Sequence, residues 1–270
     1  MKKIYYIISI IIGILLIISS FFLTTTNNKN NIKEKVTIDT NFTFYKTEFH
    51  DRYLSYKEKY GLSDKETILK VNIGLDTPFY TNPSLTNKLN SIDVLVNKYH
   101  YLPSDFVPDN LVVTDKYSKG NIKLVDEAYN AFKRMASDAK KENLKIRIIS
   151  AYRSYDYQKN LYNNYLKNDT QENVDNYSAR PGFSEHQTGL AIDIDNEVIS
   201  YDKFHLTQEF GWMKSNCYKY GFILRYDINK ENITGYQYEP WHYRYVGLKI
   251  SEYIHRNNIT FEEYYHEFLD

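Results

Sequence analysis

Apolar and polar positions divide the chain into three regimes. Residues 4–23 form an uncharged, almost wholly apolar run preceded by Lys2 and Lys3. At about 1.5 Å per residue that run reaches about 30 Å, the thickness of a bilayer core. Residues 24–48, rich in Thr, Asn and Lys with weak periodicity, read as a linker. From Phe49 onward the apolar residues fall at the spacings of packed elements. In 49–117 the stretches 68–73 (ILKVNI) and 94–97 read as strands, punctuated by Pro83, Pro103 and Pro108. This region is expected to be a lead-in lobe packed on a main domain at 118–270.

The main domain has the clearer pattern. Val125, Ala128, Phe132, Met135 and Ala139 predict an amphipathic helix over 122–142. Residues 145–150 (KIRIIS) alternate as a strand, and Ser154 is placed to cap a helix carrying Gln158, Leu161 and Tyr165. A short helix over 171–177, a turn at 179–182 and a strand over 190–194 follow. A helix over 207–220 ends at Gly221, the usual left-handed terminator. Residues 222–226 and 241–246 are further strands, and Thr260 with Glu263 forms a capping box for a last helix. Helices and short strands mix without regular βαβ alternation, so the class is α+β.

Composition narrows the partners. In 270 residues, 34 basic side chains cancel 34 acidic ones, so no basic face is offered to nucleic acid. The single cysteine, Cys217, allows neither an intrachain disulfide nor a thiolate metal site. Its helical spacing with Phe210, Met213 and Tyr220 points to the core. The apolar run at 4–23 is long for a signal peptide, lacks an Ala-x-Ala site and is followed by no cysteine for lipid attachment. A single-pass anchor is expected, with a cleaved and secreted form as the alternative. The paired lysines before it place the remainder outside the cytoplasm.

Two short segments carry the chemistry. In FSEHQTGLAIDID (183–195), His186 and Asp193 meet only if the chain turns between them, and Gly189 permits that. In YEPWH (238–242), Glu239 and His242 would point to opposite faces of a flat strand, but Pro240 breaks the regularity. Two histidines and one carboxylate are the ligand set of a catalytic zinc site, with a second carboxylate needed to carry protons. Glu239 is the candidate for that second role, and His205 stands in reserve as a ligand. Each segment by itself is a weak signal.

Ser184 to Asp193 resembles the SxHxxGxAxD signature of the LAS metallopeptidases, the group of lysostaphin, D-Ala-D-Ala peptidases and sonic hedgehog. Glu239-Pro240-Trp241-His242 resembles its ExxH partner. Residues 150–158 (SAYRSYDYQ) and 178–182 (SARPG) are similar to those of VanY-type D-alanyl-D-alanine carboxypeptidases. The resemblance covers about 120–250. It implies a small antiparallel sheet holding zinc and flanked by helices, with His186, Asp193 and His242 as ligands and Glu239 as general base and acid. It also implies that Arg153 faces the substrate, where a guanidinium beside a helix N-terminus suits a terminal carboxylate. Gln158 and Ser184 are expected substrate contacts, Ser184 alternatively capping the turn. The implied activity is removal of the C-terminal D-alanine from peptidoglycan stem peptides. An L,D-carboxypeptidase or endopeptidase on the same substrate class is the alternative, and a wall-binding module without catalysis a more distant one.

Overall fold

Strand β6 (Ala191–Asp195) organises the fold, because its AIDID alternation sends Ile192 and Ile194 to one face and Asp193 to the other. The computed structural model describes residues 35–270, of which Ile38–Asp270 form one compact unit. A four-stranded sheet runs in the order β5-β6-β8-β7, comprising β5 (Arg147–Ser150), β6, β8 (His242–Tyr245) and β7 (Phe222–Leu224). Every neighbouring pair is antiparallel. Asp193 lies opposite His242 on β8 and opposite Ser150 on β5, where the register shifts after Ile148. Helices flank the sheet, as the α+β reading requires.

The apolar face packs on helix α3 (Asp126–Lys141). Ala128, Phe132, Met135 and Ala139, spaced for one helical stripe, meet Ile148, Ile192, Ile194 and Tyr243 in a single core. Cys217 is buried in that core, and burial pushes its thiol up to about 12, as a structural residue should show. On the other face, Ile223 joins Leu95, Val246 and helices α8 (Leu248–Asn257) and α9 (Phe261–Phe268). The capping box at Thr260 and Glu263 starts α9.

Other elements follow their sequence signals closely. Helix α4 (Tyr155–Tyr165) starts where Ser154 accepts from the Tyr157 amide, and α5 spans Gln171–Tyr177. Helix α6 (Gln208–Asn216) continues as a 3₁₀ turn to Tyr220 and stops at Gly221 with φ +85°. A short helix, α7 (Glu231–Thr234), precedes the EPWH segment.

The lead-in region departs from expectation. Residues 68–73 are not a strand but part of α2 (Asp64–Ile73), which follows α1 (His50–Tyr60). Ser63 and Glu66 close a capping box at its start and Gly74 ends it left-handed. Because nearly all of 67–73 is buried, the run carries no readable period. Residues 94–97 are buried but form no ladder beyond a bridge from Asn97 to His100. Small ladders pair β1 (Ser84–Leu85) with β2 (His100–Tyr101) and β3 (Leu111–Val113) with β4 (Lys123–Val125). Residues 38–48, read as the end of the linker, belong to the compact unit, where Ile38, Phe42 and Phe44 pack on Tyr53, Ile68 and Val71. The apolar run at 4–23 lies outside the described residues. Among those described, no helix is long and apolar enough to cross a membrane.

Candidate metal centre and cleft

Register brings Asp193 and His242 together across β6 and β8, and a turn supplies His186. The 3₁₀ segment Glu185–Thr188 ends at Gly189, whose φ of +64° reverses the chain into β6. Crowding also requires glycine there, since an added Cβ would lie 2.8 Å from Leu111 Cδ2. Ligand atoms of His186, Asp193 and His242 all fall within 4.8 Å of one another. His186 Nε2 is 3.3 Å from Asp193 Oδ2, and His242 Nδ1 is 3.0 Å from Asp193 Oδ1.

Each imidazole is held from behind. His186 Nδ1 donates to the Ala151 carbonyl at 2.6 Å, leaving Nε2 for a ligand. His242 Nε2 faces Glu185 Oε2 at 3.3 Å, leaving Nδ1, and the Tyr226 ring stacks on it with centroids 4.9 Å apart. Two imidazoles whose second nitrogens are committed, plus one carboxylate, are the donor set that zinc takes in catalytic sites. The residues fit the metal. Burial depresses the His186 pKa to about 4, with the Arg153 charge adding to it, so its ring is neutral and free to ligate. Burial also opposes charge on His242, but hydrogen bonds to Asp193 and Glu185 prevail and raise its pKa to about 9. Ligation at Nδ1 therefore displaces a proton.

Pro240 breaks the strand as expected. The His242 amide donates to the Glu239 carbonyl at 3.1 Å in a turn, which brings Glu239 Oε2 to 3.9 Å from His242 Nδ1. Burial raises the Glu239 carboxyl to about 8; His242 opposes this and the Asp193 charge adds to it. A dication on the triad would draw it back towards the ionised form. A buried carboxylate with no ligating contact beside a metal triad is suited to moving protons.

These groups open into a cleft of about 670 Å³, of the size of small-molecule sites in general. Arg153 lines it from the junction of β5 and α4, its Nη1 3.4 Å from Asp193 Oδ2 and 3.1 Å from Ser150 Oγ. Its buried Nε has no partner. Ser184 also lines the cleft and makes no side-chain cap, which removes the capping alternative. Gln158 lies one layer behind the cleft lining. Its buried amide nitrogen donates to the Ala179 carbonyl at 2.8 Å and to Ser178 Oγ at 3.3 Å, bracing the cleft wall, while its Oε1 has no partner. His205, the reserve ligand, packs edge-on against Tyr238 and is no part of the triad.

Glu185 escaped the sequence reading. Its partners Arg225, His242 and Arg244 lie 40, 57 and 59 residues away, so no local spacing marks it.

Comparison with known proteins converges on the same segment. The VanY family model, described as D-alanyl-D-alanine carboxypeptidase, matches residues 121–248. A putative carboxypeptidase of Bacillus subtilis, YodJ, is 39% identical over 246 residues, covering 86% of this chain and 85% of its own length. The solved LdcB LD-carboxypeptidase, a structure concerned with peptidoglycan recognition, is 40% identical with a TM-score of 0.64, over 68% of this chain and 89% of its own. A mutant of the vancomycin-resistance D,D-pentapeptidase VanY, solved in complex with Zn(II), is 28% identical with a TM-score of 0.56, over 66% and 99%.

Proposed function

This chain belongs to the VanY family of D-alanyl-D-alanine carboxypeptidases and is a peptidase, and from that premise we propose that it is a zinc carboxypeptidase releasing the C-terminal D-alanine of peptidoglycan stem peptides. The observation that carries this reading is the convergence of His186, Asp193 and His242 beside the buried Glu239, with Arg153 in the same cleft. Zn²⁺ is the cofactor: a VanY relative holds it, and this donor set suits it.

His186, Asp193 and His242 hold the metal. When bound, it supplies Lewis acidity and brings the pKa of water down to about 7. Glu239 takes the proton of the attacking water and delivers it to the leaving amine, restoring its own charge. Arg153 pairs with the terminal carboxylate of the substrate and fixes the scissile bond near the triad. Ser184 contacts the peptide from the same wall.

The D,D bond of a pentapeptide is the first reading, following the family's description. The likeness to LdcB favours a second, the L,D bond of a tetrapeptide. Incubating the zinc-loaded protein with defined tri-, tetra- and pentapeptides and identifying released residues by mass spectrometry separates them. Release from the pentapeptide alone supports D,D, and from the tetrapeptide alone L,D. Release from none overturns the carboxypeptidase reading. We further propose that residues 1–23 anchor the enzyme to the membrane with the catalytic unit outside, where such peptides lie; fractionation of the full chain tests this.

A further inference from the structure

We propose that the buried ionic chain Glu185–Arg225–Glu262 is a positioning device for the ligand His242, and that Glu262 of the last helix is its remote, necessary member. Glu185 uses Oε2 for His242 Nε2 at 3.3 Å and Oε1 for Arg225 Nε at 2.8 Å and Arg244 Nη1 at 3.1 Å. Arg225 then forks onto Glu262, Nη1 to Oε2 at 2.9 Å and Nη2 to Oε1 at 2.5 Å. The side chains of Glu185, Arg225 and Arg244 are 0% exposed and that of Glu262 is 1%.

Two buried acids and two buried bases are an expensive way to fill a core. Such groups seldom outperform apolar residues of the same volume in stability. Their placement supplies what apolar residues cannot: a fixed acceptor behind a ligating imidazole. A carboxylate at Nε2 fixes the ring's tautomer and orientation, turns Nδ1 towards Asp193 and makes the ring a better donor. Glu185 can do this only if it is not claimed entirely by two guanidiniums. Glu262 occupies the outer edge of Arg225, so that Arg225 presents one N–H to Glu185 rather than its whole fork. Asn97 Nδ2 in turn donates to Glu262 Oε1 at 3.3 Å. Glu262 and Asn97 both lie outside the matched segment 121–248, so the ligand is aligned from beyond it.

This inference rests on the metal reading of the triad. The test uses the full chain with Zn²⁺ as the probe. Glu262→Gln keeps the shape but removes the charge, and zinc affinity by chelator competition is expected to weaken ten- to a hundredfold. KM of the zinc-saturated enzyme is expected to stay within twofold. Glu263→Ala is the control: it removes the side-chain acceptor of the capping box of the same helix, in which Glu263 accepts from the Thr260 amide at 2.7 Å, without touching the chain. Equal losses of zinc affinity in both variants, or none in Glu262→Gln, overturn the proposal. Should Glu262→Gln fail to fold, ¹⁵N spectra of zinc-loaded wild-type protein decide: Nε2 of His242 protonated supports it, Nε2 metallated overturns it. Wild-type protein that binds no zinc sinks the metal reading itself, a distinct result.

Discussion

The two faces of strand β6 are one residue apart and obey opposite rules. On one, Ile192 and Ile194 pack with Phe132, Met135 and Tyr243 and carry the core. On the other, Asp193 stands among two imidazoles, a guanidinium and, through His242 and Glu185, a second charged layer. The first face gains free energy from every apolar atom it removes from water. The second spends some of it, holding ionisable groups where burial opposes their charge. Stability and reactivity are thus separated by the strand's two-residue period, and substitutions on either side are expected to move one quantity and spare the other.

The sharpest way to break that division is on the polar face. Glu239→Gln is expected to lower turnover by about 10²–10⁴-fold, the loss of a proton carrier, equivalent to about 3–5 kcal/mol in the barrier. Zinc content is expected to hold, and thermal unfolding to stay level or rise, because a carboxyl forced up to about 8 by burial is no asset to folding. Turnover at the wild-type rate, or loss of zinc, contradicts the roles assigned here. Chelation of the wild-type enzyme should give the same silence, reversed by added zinc.

Next in size is the apolar face. Phe132 is fully buried and meets Phe222 edge-on at 6.4 Å. Phe132→Ala should cost about 3–5 kcal/mol in urea unfolding while the folded fraction at 25 °C keeps kcat/KM within a few-fold. A large drop in kcat/KM there would show that the faces are coupled.

The smallest effect probes a half-buried ionisable group away from the catalytic site. His100 lies on β2 beside Asn97 and packs on Tyr265 and His266 of α9, with Asp270 and Lys46 nearby. Burial, then the charge of His266, holds its pKa down to about 4. Between pH 6.5 and 4 the unfolded chain binds the proton and the folded one does not, so its contribution is complete above pH 6.5 and declines with acid. The decline is at most about 3 kcal/mol. Urea unfolding at pH 7.5, 5.5 and 4.5 should show a steeper acid loss in wild type than in His100→Gln. Parallel curves would mean that the ring is protonated without penalty.

How much of this was legible depends on sequence distance. The motif residues could be read because β-strand alternation, Gly189 and Pro240 act locally, and the same holds for α3 and its stripe. The strand assigned to 68–73 failed because an element buried on nearly all sides shows no period, although Ser63-x-x-Glu66 and Gly74 marked its ends. Gln158 sits behind Ser178 and Ala179 of the cleft wall, a placement that helical spacing alone cannot distinguish from one facing the cleft. Glu185 was hidden for another reason. Its importance exists only through residues brought near by tertiary folding.

Arg244 makes the matched segment less portable than its boundaries suggest. Its fully buried Nη2 donates to the carbonyl oxygens of Ile92 at 3.1 Å and Val94 at 2.8 Å. A fragment beginning near residue 118 would leave a charged nitrogen without acceptors at the centre of the molecule, two residues from the proposed ligand His242. Anyone transplanting the catalytic motifs into another scaffold must bring that preceding segment of chain along, because it is part of the enzyme's floor.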